Sequence, residues 1–173
     1  FGGPGTSYAV RLFSSAQATV NNATFAGNSD TDEAVFGIHS GAGLNAYGLI
    51  VWGNDGAAIV DGDGTATIEC SVLQSAFSGA DNVVADPEFL NEAGGNYHIS
   101  RSSPALDMCS GANGTIEDID NEARPNDVLG GINTFDAGAD EAYVFVGLNG
   151  ADCGYGTITD AIAAASAGDT IYI

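Results

Sequence analysis

Short β-prone runs follow one another through the first 73 residues, and turn-forming residues separate them. Apolar, β-branched and aromatic residues fill the runs, whereas Gly, Asn, Asp and Ser stand between them. No helical period of useful length occurs before residue 157. This pattern restricts the fold to a β-sandwich, a β-barrel or a β-solenoid. The predicted strands cover residues 8–13, 18–25, 34–39, 47–52, 57–60 and 65–73.

A weak internal repeat favours the solenoid. The segment A-T-F-A-G-N (23–28) matches L-I-V-W-G-N (49–54) at a spacing of 26 residues, and S-V-L-Q-S (71–75) repeats the apolar part about 22 residues later. This spacing is the size of one coil of a large parallel β-helix. Asn28 and Asn54 would then stack in neighbouring coils and share amide hydrogen bonds. The alternative is that Gly-Asn marks an ordinary turn at both places.

In such coils the inward positions are expected to carry aliphatic and aromatic side chains. Trp52 is expected near a coil edge. The predicted inward residues are Val20, Phe25, Ile38, Leu49, Val51, Ile59, Ile68 and Val72.

The charge balance excludes several classes of partner. The 173 residues include 23 acids, no lysine and three arginines, which gives a formal charge of −20. Such a surface repels nucleic acid and anionic lipids, and no apolar run approaches the length of a membrane span. It suits divalent cations or a saline exterior, although a hydrated acidic surface alone also explains it. The 45% apolar share indicates a folded core.

The composition changes in residues 86–142, which we call the closing segment. It contains D-P-E-F-L (86–90), N-Y-H-I (96–99), S-P-A-L-D (103–107), D-I-D-N-E-A-R-P (118–125) and D-A-G-A-D-E (136–141). The order and spacing of these motifs resemble the C-terminal part of right-handed parallel β-helix modules with a pectin-lyase-like fold. Such modules occur in large secreted and surface proteins of bacteria and archaea, and the resemblance covers roughly residues 18–141.

The resemblance implies that the fold is all-β. The chain would form a right-handed parallel β-helix (a solenoid) of four to five coils, with a short capping α-helix near the C-terminus. The closing segment would then cover the end of the coil stack, where an exposed strand edge invites aggregation. Within it, we expect Arg124 to form a local charge pair with Asp118 and Asp120. His98 and His39 are expected to be solvent-facing strand residues.

The last part of the chain reads as the opening of another module. Residues 143–150 predict a strand and a turn, residues 157–169 predict an amphipathic helix, and a further strand begins at the end. We therefore divide the chain into 1–142, the coils and closing segment, and 143–173, a cap-like unit. Residues 143–173 would join copies of the chain head to tail or join neighbouring modules of one polypeptide; the alternative is an arbitrary boundary.

Three acidic turns are candidate Ca²⁺ sites, because carboxylate oxygens are the ligands that Ca²⁺ prefers. The run D-G-D-G-T resembles half an EF-hand loop, but Ala66 and Val72 occupy the positions that require Gly and Glu. Hydrated acidic turns without metal are the alternative in every case. The candidate ligands are Asp61 and Asp63, Asp30 and Asp32, and Asp118 and Asp120.

The three cysteines leave several states open. Cys70, Cys109 and Cys153 form no C-x-x-C pair, which argues against a structural zinc site built on thiolates. In an extracellular protein one disulfide and one free thiol fit, as does a bridge to another chain. Three buried thiols are the plain alternative.

The sequence thus favours a non-catalytic structural module of an extracellular or cell-surface protein, stabilised by Ca²⁺, with no catalytic residue assigned. The competing interpretation is a polysaccharide lyase, a glycoside hydrolase or a carbohydrate-binding β-helix. Lyases of this fold typically use Ca²⁺ with an Arg or Lys as base, and here the arginines alone could serve. A resemblance of fold does not confer an activity.

Overall fold

The computed structural model describes residues 7–29, 34–56, 58–110, 114–124, 134–142, 144–145, 158–164 and 171–172. These residues are mostly β, which agrees with the all-β class predicted from the sequence. The helix Ile158–Ala164, α1, has seven residues. Within the described ranges, no helix has the length and apolar character needed to cross a membrane.

The strands are short and follow the predicted runs. In chain order they are β1 (Val10–Leu12), β2 (Gln17–Ala26), β3 (Ala34–Ile38), β4 (Gly43–Trp52), β5 (Ala58–Asp61), β6 (Thr65–Glu69), β7 (Val72–Leu73), β8 (Val83–Val84), β9 (Phe89–Asn91), β10 (Asn96–Ile99), β11 (Cys109–Ser110), β12 (Thr134–Phe135), β13 (Val144–Phe145) and β14 (Ile171–Tyr172). All six predicted runs contain strands, and the run 65–73 divides into β6 and β7.

The N-terminal half of the chain passes back and forth between two parallel sheets. The first sheet has the order β1-β3-β5, and the second has the order β2-β4-β7-β8 with β6 also beside β4. Val10 pairs with Phe36, and Phe36 pairs with Val60. Leu44 pairs with Ala18 on one side and with Ala66 on the other. Returns among β1 to β7 therefore take 22 to 26 residues, as the internal repeat predicts, whereas β8 pairs with β7 after a shorter return, from Val72 to Val83.

The long strands of the second sheet bend at one column of left-handed residues. Asn22, Gly48 and Cys70 have φ values of 45°, 66° and 51°, and the pairing register places them side by side. Gly and Asn adopt this conformation most readily. The bend lets Ala46 and Leu49, three positions apart on β4, pack into the same core. We call these three residues the bend column.

Apolar side chains form two cores, one on each face of the second sheet. The first core contains Phe36, Ile38, Leu44, Leu49 and Ile68, and the ring of Phe25 packs edge-on against Phe36 at 4.9 Å. The second core joins the opposite face of the sheet to the closing segment. Its buried members are Ile50, Cys70, Val72, Ile99, Ala105, Leu106, Cys109, Phe135, Ala137 and Ala142.

Two expectations are wrong at this point. The closing segment packs across the face of the second sheet, whereas we expected it over the end of the coil stack. Val72, expected inward, lies in the second core because the bend at Cys70 changes which face the following residue occupies. Seven of the eight predicted inward residues do contact the first core; Val20 and Phe25 are partly buried there.

The predicted asparagine stack is present and longer than expected. The Nδ2 of Asn28 donates to Oδ1 of Asn54 at 2.6 Å, and Nδ2 of Asn54 approaches Oε1 of Gln74 at 3.1 Å. The side chain of Gln74 also donates to the carbonyl oxygens of Asn54 and Gly56. Amide side chains therefore join three successive turns of the chain.

Candidate functional site

Of the first two predicted Ca²⁺ turns, the structure describes the one with Asp61 and Asp63, and both carboxylates accept hydrogen bonds from other parts of the chain. Asp61 is half-buried, and its Oδ2 accepts the Tyr8 hydroxyl at 2.8 Å. Asp63 is exposed, and its Oδ1 accepts the Ser40 backbone N–H at 2.7 Å. The pair Asp30 and Asp32 lies outside the described residues.

In the third turn, Asp118 organises the backbone. Its Oδ1 accepts the backbone N–H groups of Asp120 and Glu122, both at 2.8 Å, and its Oδ2 accepts that of Glu141 at 3.2 Å. These bonds close the turn 118–122 and tie it to the end of the closing segment. The side chain of Asp120 is thereby turned toward a different set of partners.

Asp120 meets His98 and Asp140, which come from distant parts of the closing segment. His98 lies on β10, and its Nε2 is 2.6 Å from Oδ2 of Asp120. One possible ligand atom from each residue lies within 4.8 Å of the other two. Asp140 is buried, and its Oδ2 accepts the Ile99 backbone N–H at 2.8 Å. We call His98, Asp120 and Asp140 the His-Asp-Asp cluster.

The second nitrogen of the His98 ring also has an acceptor beside it. Nδ1 lies 2.6 Å from Oδ1 of Asn96, and the same oxygen accepts the His98 backbone N–H at 3.1 Å. This arrangement places the Nδ1 proton toward Asn96. A histidine that binds metal through Nε2 typically donates its other N–H in this way, which fixes the orientation of the ring.

The surroundings of the cluster are strongly negative. Burial, followed by repulsion from Asp118, Asp120 and Asp140, raises the pKa of Glu122 to about 7, against a lowering effect of His98. Burial raises the pKa of Asp140 to about 6, although its backbone hydrogen bond and His98 lower it. Both shifts mean that these carboxyl groups favour the protonated form more than exposed carboxyl groups do.

A cavity of about 250 Å³ adjoins the cluster. Its walls are mostly apolar and come from β2, β10, the 118–122 turn and residues 139–140. Thr24 and Tyr97 add hydroxyl groups to its lining, which also includes His98 and Asp140. Two members of the His-Asp-Asp cluster therefore face a space large enough for a small ligand.

A second charged group lies deeper and is structural. Arg124 donates from Nη1 to Oε2 of Glu141 at 3.2 Å and to the Asp136 carbonyl at 3.1 Å, and from Nη2 to the Gly138 carbonyl at 3.1 Å. The expected pairing of Arg124 with Asp118 and Asp120 is therefore wrong. The guanidinium instead neutralises a fully buried carboxylate, which would be costly alone.

Asp136 belongs to the same buried group. Its two carboxylate oxygens accept the backbone N–H groups of Asp107 and Ala142, each at 2.7 Å. Burial and the nearby Glu141 raise the pKa of Asp136 well above its ordinary value, although these hydrogen bonds lower it. The group holds three distant pieces of the closing segment in one arrangement.

A disulfide joins Cys70 to Cys109, with Cα atoms 5.6 Å apart. It links the bend column of the second sheet to β11 and lies within the second core. One intramolecular disulfide is among the states that the cysteine count left open, and it excludes the state with three thiols. Cys153 lies outside the described residues.

Sequence reasoning located Asp120 but missed its partners. His98 was assigned to a solvent-facing strand, yet its side chain is 29% exposed and pairs with Asp120. Asp140 belongs to the motif D-A-G-A-D-E, in which the sequence predicted no ligand. The available signal was the presence of one histidine and several acids in motifs of a single segment, but their approach depends on how that segment folds.

Comparison with protein-family models, with curated proteins and with solved structures finds no match to this chain.

Proposed function

We propose that this chain is a structural module of an extracellular or cell-surface protein, built as a right-handed parallel β-helix and braced by its closing segment. The parallel register across the two sheets supports this architecture, since returns of 22 to 26 residues match the coils of a β-helix. Right-handed connections between parallel strands are strongly preferred, which supports the hand.

The observation that carries the proposal is how the closing segment is attached. It contacts every member of the bend column: Asn22 donates to the Asp136 carbonyl, the Gly48 carbonyl accepts the Gly138 N–H, and Cys70 is bonded to Cys109. These attachments reach β2, β4 and the junction between β6 and β7, which are side by side in the second sheet. A segment devoted to such bracing is what a load-bearing or spacer module requires.

The disulfide supports the extracellular assignment. Disulfides persist in oxidising compartments and are rare where thiols are kept reduced. Closing a loop of 39 residues would stabilise the fold by about 4 kcal/mol in the chain-entropy description. The charge of −20 is compatible with a saline exterior. Ca²⁺ at Asp61 and Asp63 remains part of this proposal, to be tested by melting with and without chelator.

The disulfide between Cys70 and Cys109 can be tested by its chemistry and by its effect on stability. Peptide mapping without reductant, after alkylation of the native protein, should recover one cross-linked peptide pair that contains Cys70 and Cys109. Replacing both by Ala should lower the free energy of unfolding by about 4 kcal/mol. The Cys153→Ser variant is the control and should retain the linked pair. Recovery of alkylated Cys70 from folded, air-exposed protein would contradict the bracing role.

The non-catalytic part of the proposal needs a separate assay. The protein should release neither reducing nor unsaturated sugars from acidic and neutral polysaccharides, with or without Ca²⁺. Release above the background of heat-denatured protein would overturn it in favour of a carbohydrate-active β-helix.

A further inference from the structure

We propose that His98, Asp120 and Asp140 bind one divalent transition-metal ion of the zinc type at the wall of the adjoining cavity. This inference is independent of the structural role proposed above, because it concerns a side-chain cluster that the bracing of the sheet does not use. It also assigns a different ion from the Ca²⁺ expected at the acidic turns.

The imidazole ring of His98 is oriented with an oxygen atom beside each of its nitrogens. Both ring nitrogens lie 2.6 Å from oxygen atoms, Nδ1 from Asn96 and Nε2 from Asp120. A neutral imidazole carries one N–H, so it can donate to one of these oxygens only. With the proton on Nδ1, the lone pair of Nε2 points at a carboxylate, and a positive charge must lie between them. A bound metal ion meets this requirement, as does a second proton.

Charge and position favour the metal over the second proton. The cluster brings one ligand atom from His98 and one from each of two carboxylates within 4.8 Å of one another, and Asp118 and Glu122 lie in the same turn as Asp120. One imidazolium offsets a single negative charge of this group. A divalent ion offsets two and interacts with both carboxylates at once.

The donor set identifies the class of ion. One imidazole nitrogen and two carboxylate oxygens form a mixed set that suits zinc and similar first-row metals. Ca²⁺ requires six to eight oxygens and does not select nitrogen. In a tetrahedral zinc site the ligand atoms lie roughly 3.3 Å apart. The Nε2 of His98 lies 2.6 Å from Oδ2 of Asp120, and the three ligand atoms all lie within 4.8 Å of one another, so small side-chain movements would complete the site.

The cavity indicates what completes the coordination. Three protein ligands leave one tetrahedral position, and His98 and Asp140 both line the cavity. Water or a small anionic ligand entering from the cavity would occupy this position. The neighbouring surfaces of Tyr97 and Ile119 would contact the apolar part of such a ligand.

The test is titration of the untagged full chain with Zn²⁺ alone, by calorimetry, in the Cys153→Ser background so that no free thiol competes. We expect one site per chain. His98→Ala and Asp120→Asn should each weaken Zn²⁺ binding by more than about tenfold. His39→Asn, at the other histidine, and Asp55→Asn, at an exposed acid, should leave the affinity unchanged.

Two further measurements keep the outcome decisive. Circular dichroism melts in chelator should show that His98→Ala and Asp120→Asn retain the fold, since both side chains are partly exposed. Long-range ¹H–¹⁵N spectra should show Zn²⁺ shifting the Nε2 resonance of His98 and leaving His39 in place. The proposal is overturned if no site is detected, which would leave a His98–Asp120 ion pair only. It is also overturned if Ca²⁺ binds as tightly as Zn²⁺ and His98→Ala affects neither ion.

Discussion

Asn54 makes more side-chain hydrogen bonds than an ordinary turn residue needs. Its Oδ1 accepts the backbone and side-chain N–H groups of Asn28, and its Nδ2 donates to the Phe25 carbonyl and reaches Gln74. The side chain is buried, so an apolar replacement leaves these groups without water. A single amide therefore joins three successive turns of the chain.

Replacing Asn54 by Ala should lower the free energy of unfolding by about 2–4 kcal/mol, because several buried hydrogen bonds are lost together. Urea denaturation monitored by the fluorescence of Trp52 measures the change. Asn45→Ala is the matched control: Asn45 is an exposed residue of β4, and its replacement should cost less than about 0.5 kcal/mol. Equal effects of the two substitutions would show that the amide stack contributes nothing.

The sequence predicted the contact between Asn28 and Asn54 because both residues repeat in register with the coils. It could not predict the approach of His98, Asp120 and Asp140, which belong to motifs without a shared period. Their separation is set by the Asp118 turn, the β10 strand and the buried Arg124–Glu141 pair acting together. Local patterns carry no information on such an arrangement.

At the scale of elements, the bend column determines the form of the second sheet. Gly48 sits in its middle, in a left-handed conformation, and a Cβ there would lie 3.1 Å from Nδ2 of Asn22. Asn22 in turn holds the Asp136 carbonyl and the Thr115 N–H. The backbone conformation at Gly48 therefore affects, through Asn22, the position of the closing segment on the second sheet.

Gly48→Ala should lower the free energy of unfolding by about 1–2 kcal/mol from the left-handed backbone, and further by displacing Asn22. Gly95→Ala separates these contributions, since Gly95 has a φ of 78° and no atom within 4 Å of an added Cβ. We expect the Gly48 substitution to cost more in thermal melts. A smaller loss than that of Gly95→Ala would contradict the coupling between the bend and the closing segment.

The strands were predictable because alternation and turn residues are local properties. The prediction that Val72 faces the first core was wrong because Cys70 adopts a left-handed backbone conformation, which is more usual for Gly or Asn. The residue type of Cys70 does not predict this conformation. The formation of the disulfide with Cys109 accompanies that bend. The error therefore arose from tertiary structure and not from the repeat itself.

At the scale of the whole molecule, the arrangement of buried charge predicts an unusual response to pH. The pKa of Asp136 is higher in the folded protein than in the unfolded chain. The folded state therefore binds this proton more tightly. Stability from this group is present below the unfolded value of about 3.9 and declines as the pH rises toward the folded pKa.

In chelator and at constant ionic strength, the protein should thus be more stable at about pH 5 than at about pH 8. Mutual repulsion within the −20 charge acts in the same direction. Asp136→Asn should flatten the slope of stability against pH, while the exposed Asp55→Asn should preserve it. A maximum of stability at alkaline pH would contradict this account of Asp136.

The placement of the closing segment was beyond sequence reasoning. Its motifs indicated that it ends a module, but whether it covers the edge or a face of the second sheet depends on which sheet face remains apolar. Ile50 and Val72 give the second sheet such a face, and Ile99, Leu106 and Phe135 cover it. The alternation of apolar and polar residues along one strand does not show whether several strands together form an apolar face that another segment must cover.

The attachment of the closing segment to β2, to β4 and to Cys70 has a mechanical consequence. Tension that separates neighbouring strands of the second sheet acts on the hydrogen bonds between them. Here a second path runs in parallel, from Asn22 through the closing segment to the covalent bond at Cys70. Rupture along the direction in which the strands stack must break both paths, so in a pulling experiment reduction of this single bond should lower the force at which the strands separate.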